Sequence, residues 1–292
     1  MYELVTLEHN AGVRFSVSRV LHLLKLSTSG YYDFLKREPS QQALHKEEVK
    51  KQIKDIYEES HQNYGAPKIA KVLEKQGIVI SPRTVGLYMR EMDIQAQWVK
   101  KGVKTTVDSC FHTELKNELQ RQFSPEKPNA VWCSDITYIR TRLSGFVYLT
   151  CVMDLYSRKI IAWKLSKTLE VTEVLECIEM AKTVRHIDQP LIIHTDRGIH
   201  YTCELYQQMT RGMKRSYSRK GTPYDNACIE SFHSLIKREW LGRCEIQNYR
   251  HASRLVWEYI EGWYNTIRIH SHCEYQSPND YEMEWHKQER KK

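Results

Sequence analysis

Three strand-like segments follow one another closely in the middle of the chain. Residues 131–139, 145–154 and 159–165 are rich in β-branched and aromatic side chains, and short polar turns join them. This pattern predicts a three-stranded meander. Helices and strands then alternate, which predicts an α/β (α+β) mixed sheet with helices on its faces. The later segments are helix 171–185, strand 191–195, helix 203–210, strand 213–218, helix 225–240 and helix 252–264.

The chain before this sheet divides into two further parts. Residues 1–96 predict a small, all-helical region, because apolar residues recur there at helical spacing. Residues 97–128 are polar and irregular, and Ser-Pro-Glu-Lys-Pro at 124–128 is typical of a boundary. We therefore expect a helical region, a linker, and a core with C-terminal helices over 129–292.

Two short predicted helices within about residues 45–94 resemble a helix-turn-helix. Gly77 is suited to end the first helix, 66–76, and Ser81 with Pro82 is suited to begin the second, 83–92. On this local pattern alone, an ordinary helical hairpin with a solvated charged face remains the alternative interpretation.

The composition argues against a disordered or fibrous protein, and the apolar runs argue against one that spans a membrane. With 41% hydrophobic and 27% charged residues, the chain is typical of soluble globular proteins. Its longest apolar runs, such as Phe146–Val152, are far below the ~20 residues that span a bilayer, and no secretory signal is visible. The eight cysteines are scattered without a C-x-x-C pair, which favours reduced thiols in a cytoplasmic protein. A net charge of +8 permits a polyanionic partner.

Three acidic residues lie where carboxylates are unusual or could converge. Asp135 falls inside the first strand, Asp196 follows the buried strand 191–195, and Glu230 lies on the helix 225–240, away from its apolar stripe. A buried carboxylate needs a partner or a metal ion. Each acid alone is also compatible with a turn, a cap or a surface charge, and spacing by itself does not show that the three meet.

Three ordered motifs resemble a known family. WCSDITYI (132–139), HTDRGIHYT (194–202) and SRKGTPYDNACIESFHSLIKRE (218–239) are similar to the integrase core of DDE transposases, most closely to the downstream reading-frame product of the IS-three group of bacterial insertion sequences. YGAPKIAKVLEKQGIVISPRTVGLYMREMDI (64–94) is similar to the helix-turn-helix-like segment that precedes that core. The resemblance covers nearly the whole chain.

The resemblance implies a fold, a reaction and a site. The fold would be RNase H-like, with Asp135, Asp196 and Glu230 as catalytic and metal-binding triad. Two Mg²⁺ (or Mn²⁺) ions would support the cleavage of element ends and the joining of the freed 3′-hydroxyl to another strand. The implied partners are DNA of the element ends and target, further copies of the chain as an oligomer on DNA, and the upstream-frame product by fusion or complex. The resemblance also implies a bacterial cytoplasmic protein that is associated with the nucleoid when it is bound to DNA and has no membrane partner.

Several cations and polar residues are candidates for DNA contact. In the core, Lys237 and Asn226 share a helix face with Glu230, and Arg219 and Lys220 lie in the loop before it. By the resemblance, the helical region adds Lys68, Arg83 and Arg90. Each also has a plain interpretation as a solvated cation or a residue near a helix cap.

Other polar residues have structural interpretations. His194 and His200 are interpreted as imidazoles satisfied by the fold, Asp154 as a turn residue, and Asp225 as the cap of the Glu230 helix. His-Ser-His-Cys at 270–273 lacks a second pair of ligands nearby, which argues against a zinc site.

Two other functions remain open on the sequence. A nuclease of the same fold would hydrolyse DNA without joining it. A DNA-binding module would act only when fused to the upstream-frame product, since this chain has no heptad run of its own.

Overall fold

A computed structural model of the chain describes residues 1–11, 15–36, 38, 40–97, 115–187 and 191–291. It divides into two compact units, Met1–Asp55 and Ile56–Lys292. Most of the predicted linker, residues 98–114, lies outside the described residues. Within them, no helix is both long and apolar enough to cross a membrane.

The described secondary structure is mainly helical around one sheet. The helices are α1 (Tyr2–Asn10), α2 (Val17–Leu23), α3 (Thr28–Lys36), α4 (Gln41–Glu59), α5 (Ala66–Lys75), α6 (Pro82–Glu91), α7 (Val171–Arg185), α8 (Ile199–Thr202), α9 (Glu204–Met209), α10 (Ala227–Glu239), α11 (Tyr249–Trp257) and α12 (Pro278–Glu289). The strands are β1 (Val131–Thr141), β2 (Gly145–Asp154), β3 (Ile160–Ser166), β4 (Ile192–Thr195) and β5 (Lys214–Tyr217). A π-helical turn, Glu258–Tyr264, continues α11, and 3₁₀ turns lie at Pro223–Asn226, Leu241–Arg243 and Ser271–Cys273.

The five strands form one mixed sheet. Their order is β3-β2-β1-β4-β5; β1, β2 and β3 are antiparallel neighbours, whereas β4 and β5 run parallel to β1. The predicted meander and the alternation beyond it are therefore confirmed. The predicted helix 225–240 is divided, because its first residues form the 3₁₀ turn Pro223–Asn226 and α10 begins only at Ala227.

Helices cover both faces of the sheet at its centre. Trp132 of β1 packs in a core with side chains of α7, α8 and α9. Successive side chains of a strand point to opposite faces, so Asp135 points away from that core and toward the face on which α10 lies. Ile229, Phe232 and Ile236 of α10 are buried, and they form the predicted apolar stripe.

Helix α12 has no buried apolar stripe, and its contacts show how it is held. Only Pro278 and Glu282 of this helix are buried. Glu282 accepts hydrogen bonds from Arg185 Nη2 at 2.7 Å and from Ser157 Oγ at 2.6 Å. This ion pair, together with the Tyr281 ring stacked on Tyr156 at 5.0 Å between ring centres, holds α12 against the core.

The N-terminal unit, Met1–Asp55, has a small core of its own. Val5, Leu21 and Tyr31 from α1, α2 and α3 are buried against one another. The Tyr2 hydroxyl donates a hydrogen bond of 3.0 Å to the Ser27 carbonyl oxygen, which ties α1 to the start of α3.

The two helices of the predicted helix-turn-helix are present in the second unit. We call residues 60–94 the helical pair. Gly77, with φ of +89°, follows the end of α5, where an L side chain would be strained. Ser81 caps α6, because its hydroxyl accepts a 3.1 Å hydrogen bond from the Thr84 amide. The predicted start and stop signals are confirmed.

Candidate active site

The first two acids of the predicted triad lie at equivalent positions on neighbouring strands. The parallel register of β1 and β4 ends with Cys133 opposite His194. Asp135 and Asp196 each stand two residues beyond that last pair, where β4 ends at Thr195. Strand pairing therefore brings these two carboxylate-bearing positions, which are far apart in the sequence, to one edge of the sheet.

The backbone after β4 fixes the Asp196 side chain. Its Oδ1 accepts a hydrogen bond of 2.9 Å from the Gly198 amide. A Cβ atom at residue 198 would lie 3.0 Å from that same oxygen, which is tighter than an ordinary van der Waals contact. Glycine therefore allows the chain to turn closely around the carboxylate.

Helix α10 connects Glu230 to this edge through a residue that the sequence interpretation missed. His233 is buried, and its Nδ1 lies 3.4 Å from Asp135 Oδ2. Glu230 is three residues earlier, so its side chain and that of His233 are neighbours on the helix surface. The second turn of α10, which carries His233, therefore lies beside Asp135, and Glu230 precedes it by one turn on the same surface of the helix. The signal in the sequence was spacing, since residues 230, 233 and 237 form one i, i+3, i+7 stripe.

Lys237 lies on the same stripe and is half-buried. Its Nζ is 4.5 Å from the centre of the Tyr138 ring, a cation–π contact between α10 and β1. Burial lowers the pKa of Lys237, and the negative charge of Asp135 opposes that shift. The ammonium is therefore held within the electrostatic reach of the acidic edge.

The loop before α10 is tied down by Asp225, which does not cap the helix. Asp225 is 1% exposed and accepts hydrogen bonds from Arg121 Nε at 2.6 Å, Asn117 Nδ2 at 2.8 Å and the Arg219 amide at 2.9 Å. The predicted cap is wrong, because Asn226 holds the N-cap position and no side chain caps this helix end. Asp225 instead joins residues 115–128 of the predicted linker to the loop.

The candidate DNA contacts near the site differ in exposure. Arg219 and Lys220 are exposed, whereas Asn226 is buried with 3% exposure. The Oδ1 atom of Asn226 and the Nε2 atom of His233 are buried without a hydrogen-bond partner among the described residues. Two polar atoms at the first two turns of α10 are thus left unsatisfied.

The two histidines beside Asp196 are used by the fold, as predicted. His194 is fully buried between Ser216 Oγ, 2.8 Å from its Nδ1, and Ser218 Oγ, 3.2 Å from its Nε2. Burial lowers its pKa to about 4, so the imidazole is neutral near pH 7. His200 Nε2 lies 3.0 Å from the Leu169 carbonyl oxygen.

Asp154 is the turn residue that was predicted. Its Oδ1 accepts a 2.9 Å hydrogen bond from the amide of Tyr156, two residues ahead, and its Oδ2 accepts one of 2.7 Å from the Asn129 amide. The segment 270–273 also serves packing: His272 Nε2 lies 2.9 Å from the Tyr156 carbonyl oxygen, and Cys273 Sγ lies 3.0 Å from the Ser157 carbonyl oxygen.

The three predicted ligands have the chemistry that a divalent cation needs, but their side chains are farther apart than a bound ion requires. Carboxylate oxygens suit hard cations such as Mg²⁺ and Mn²⁺. Within the described part of the chain, however, no group of three His, Cys, Asp or Glu side chains is close enough to hold an ion. Asp135 and Asp196 lie at equivalent positions of neighbouring strands, and Glu230 lies on the helix that contacts Asp135 through His233; the three do not form a closed ligand set.

Family models match the two parts of the chain separately. Two models described as "Integrase core domain" match residues 125–223 and 211–278, which together contain all three acids. A model described as "HTH-like domain" matches residues 44–102.

Curated relatives extend the match over most of the chain. The transposase for insertion sequence element IS904 of Lactococcus lactis subsp. lactis (strain IL1403) is 37% identical over 248 residues, which are 84% of this chain and 98% of the relative. The chain belongs to the insertion-sequence transposases. Transposase InsF for insertion sequence IS3A of Escherichia coli (strain K12) is 32% identical over 272 residues, 92% of this transposase and 94% of the relative. The resemblance stated from the motifs is confirmed.

The family match and the strand order agree on the architecture of this transposase. An RNase H-like integrase core follows an HTH-like helical region, as predicted. Among solved structures, the HTLV-2 integrase catalytic core domain in complex with magnesium (trimeric form) is similar with a TM-score of 0.41 and 16% identity, over 54% of this chain and 98% of that chain.

The helical pair presents its candidate cations on different sides. Arg83 and Arg90 of α6 are exposed and lie seven residues apart, on one face of the helix. Lys68 of α5 is instead half-buried, with its Nζ 4.7 Å from the centre of the Tyr64 ring. Burial lowers the pKa of Lys68 to about 7. Of the three, the two arginines are placed where DNA could reach them.

Proposed function

We propose that this transposase cuts the ends of its insertion sequence and joins the freed 3′-hydroxyl groups to target DNA, with Asp135, Asp196 and Glu230 as ligands of two divalent cations. Family membership supports transposition in general. The observation that supports the finer proposal is the placement of the acids: two of them lie at equivalent positions on parallel strands, and Asp135 contacts His233, one turn after Glu230 on the helix that bears the third.

The proposed cofactor follows from the charge at this edge. Carboxylates at neighbouring positions repel one another unless a cation lies among them. Two divalent cations would stabilise the attacking and departing oxygens of the phosphodiester when bound. In the proposal, the ligand set closes when the side chains of Asp196 and Glu230 approach Asp135, which lies beside His233 on α10.

The chain's own cations would hold the DNA. Arg219 and Lys220 are exposed in the loop before α10, and the Lys237 ammonium is held beside the acids. Cations at these places attract phosphate oxygens and offset the repulsion between an acidic site and a polyanion. In the proposal they position the backbone, and the acids act on it.

Strand transfer tests the proposal directly. Purified full-length transposase, oligonucleotides of the element end and a target duplex are incubated with Mg²⁺ or Mn²⁺. We expect a joined product that disappears with a chelator and in Asp196→Asn or Glu230→Gln, whereas DNA binding persists in both variants. Glu245→Gln is the matched control, because Glu245 is an exposed acid of the core, paired only at the surface with Arg142. It should leave joining unchanged.

The other outcomes select the other functions. Cleaved ends without joined product would mean a nuclease of the same fold. Binding without cleavage, in the presence and absence of the upstream-frame product, would mean a DNA-binding module. Joining that survives Asp196→Asn would remove Asp196 from the site.

A further inference from the structure

We propose that the helical pair (residues 60–94) braces the C-terminal end of α10, so that Lys68 and Arg243 are positioning residues for Glu230 rather than DNA contacts. The inference rests on the proposed function only for the role given to Glu230. The bracing itself is carried by contacts within the second unit.

The end of α10 is anchored by a buried ion pair. Glu239, the last residue of the helix, accepts hydrogen bonds from Arg268 Nη2 at 2.6 Å and Nε at 2.7 Å. The Tyr259 hydroxyl donates a third, of 2.8 Å. Arg268 is 5% exposed, so this carboxylate is held in place by charge-assisted bonds in a dry environment.

Lys68 of α5 lies within electrostatic reach of this ion pair. Its ammonium is attracted by Glu239 and repelled by Arg268, and burial is the main reason why its pKa is lowered. The side chain lies over Tyr64, and the Tyr64 hydroxyl accepts a 2.9 Å hydrogen bond from the Ile269 amide next to Arg268. Lys68 therefore points into the core. A phosphate contact would require its withdrawal from there.

A second link joins the residues after α10 to the turn before α5. Arg243 Nη1 donates a 2.6 Å hydrogen bond to the His61 carbonyl oxygen, and Arg243 Nη2 bonds Asn63 Oδ1. The His61 ring lies edge-on to Trp240 and Trp263, with ring centres 4.8 and 5.3 Å apart. Trp240 directly follows α10, so this turn contacts the helix end itself.

A rigid helix carries this restraint to the acidic edge. Glu230 and Glu239 are nine residues apart, about 14 Å along the axis at 1.5 Å per residue. A change at the Glu239 end therefore shifts or tilts the part of the helix that carries Glu230 and His233, and His233 lies beside Asp135. Displacements of about 1 Å at a reacting centre can cost about 100-fold in rate.

Two cation-to-methionine variants of the full chain separate bracing from DNA contact. Lys68→Met removes the ammonium from the core, and Arg83→Met removes an exposed cation from the same helical pair. Hydrogen exchange is measured at the amides of residues 231–234, which donate to the carbonyl groups of the first turn of α10, and duplex affinity is measured against salt concentration. Thermal unfolding confirms that each variant is folded.

Bracing predicts opposite results for the two variants. Lys68→Met should speed exchange of these amides by about threefold or more, with the salt slope unchanged. Arg83→Met should leave that exchange unchanged and reduce the salt slope by about one. If strand transfer is present, Lys68→Met should lower kcat and leave KM for DNA unchanged.

Arg243→Gln provides a second, milder variant, since Arg243 is exposed. It should move exchange at α10 in the same direction as Lys68→Met. The bracing role is overturned if exchange rises only within α5, or if Lys68→Met lowers the salt slope as Arg83→Met does. Neither measurement needs transposition activity, so failure of the proposed function would be seen separately.

Discussion

The buried carboxyl group of Asp154 gives the transposase a pH dependence that can be worked out from its surroundings. Asp154 is fully buried at the end of β2, and burial is the main cause that raises its pKa from 3.8 to about 6. Arg185, whose Nη2 is 3.9 Å away, offsets part of that shift, while Glu282 adds to it. Folding therefore favours the protonated acid.

Proton linkage gives the direction and the magnitude of this pH dependence of the free energy of unfolding. Between pH 3.8 and about 6 the native state holds a proton that the unfolded chain has released, so the free energy of unfolding falls as pH rises through this window. A shift of about 2 pKa units corresponds to about 3 kcal/mol at 1.36 kcal/mol per unit. About 2 kcal/mol of this falls between pH 4.5 and 7.

Two variants isolate this contribution. Asp154→Asn and Asp154→Ala remove the titrating group, and urea unfolding is followed by tryptophan fluorescence at pH 4.5, 5.5 and 7. Relative to wild type, both should gain about 2 kcal/mol between pH 4.5 and 7. Their absolute stabilities should differ, because alanine leaves the Asn129 and Tyr156 amides without their acceptor, at about 1–3 kcal/mol each.

Parallel pH dependences of wild type and variants would refute this expectation. If wild type and both variants lose or gain stability with pH in parallel, Asp154 does not titrate differently in the folded and unfolded chain. The buried, partly compensated carboxylate described above would then be incorrect. A carbon-13 titration of the Asp154 carboxyl group provides the direct value.

Two further predictions concern charges that the fold encloses. Arg268→Met should leave the Glu239 carboxylate buried without its partner and lower the free energy of unfolding by about 3–5 kcal/mol in thermal unfolding. The control Arg254→Met, which removes the exposed partner of Glu258, should change that free energy by less than about 0.5 kcal/mol. Equal effects would contradict the difference in burial. Asp225→Asn should weaken three hydrogen bonds and loosen the loop before α10, so trypsin should cut after Arg219 several times faster; an unchanged rate would show that Asp225 does not restrain the loop.

The local signals in the sequence were sufficient for most elements. Gly77 and Ser81 marked the turn between α5 and α6 because the backbone conformations needed there favour those residue types. Alternation and apolar runs gave the strands of the sheet. They failed for the predicted cap, since Asp225 bonds residues about 100 positions away. They did not define α12, whose buried residues are only Pro278 and Glu282.

The sequence by itself determined the family, the order of the elements and the three acids worth considering. These are properties of local residue patterns and of their order along the chain. Only the tertiary structure decided which side chains meet: His233 lies beside Asp135, and Lys68 lies over the Tyr64 ring within reach of the charges of Glu239 and Arg268. The reason is physical. Strand register and helix docking depend on packing between distant segments, and burial converts the same lysine from a solvated cation into part of the core.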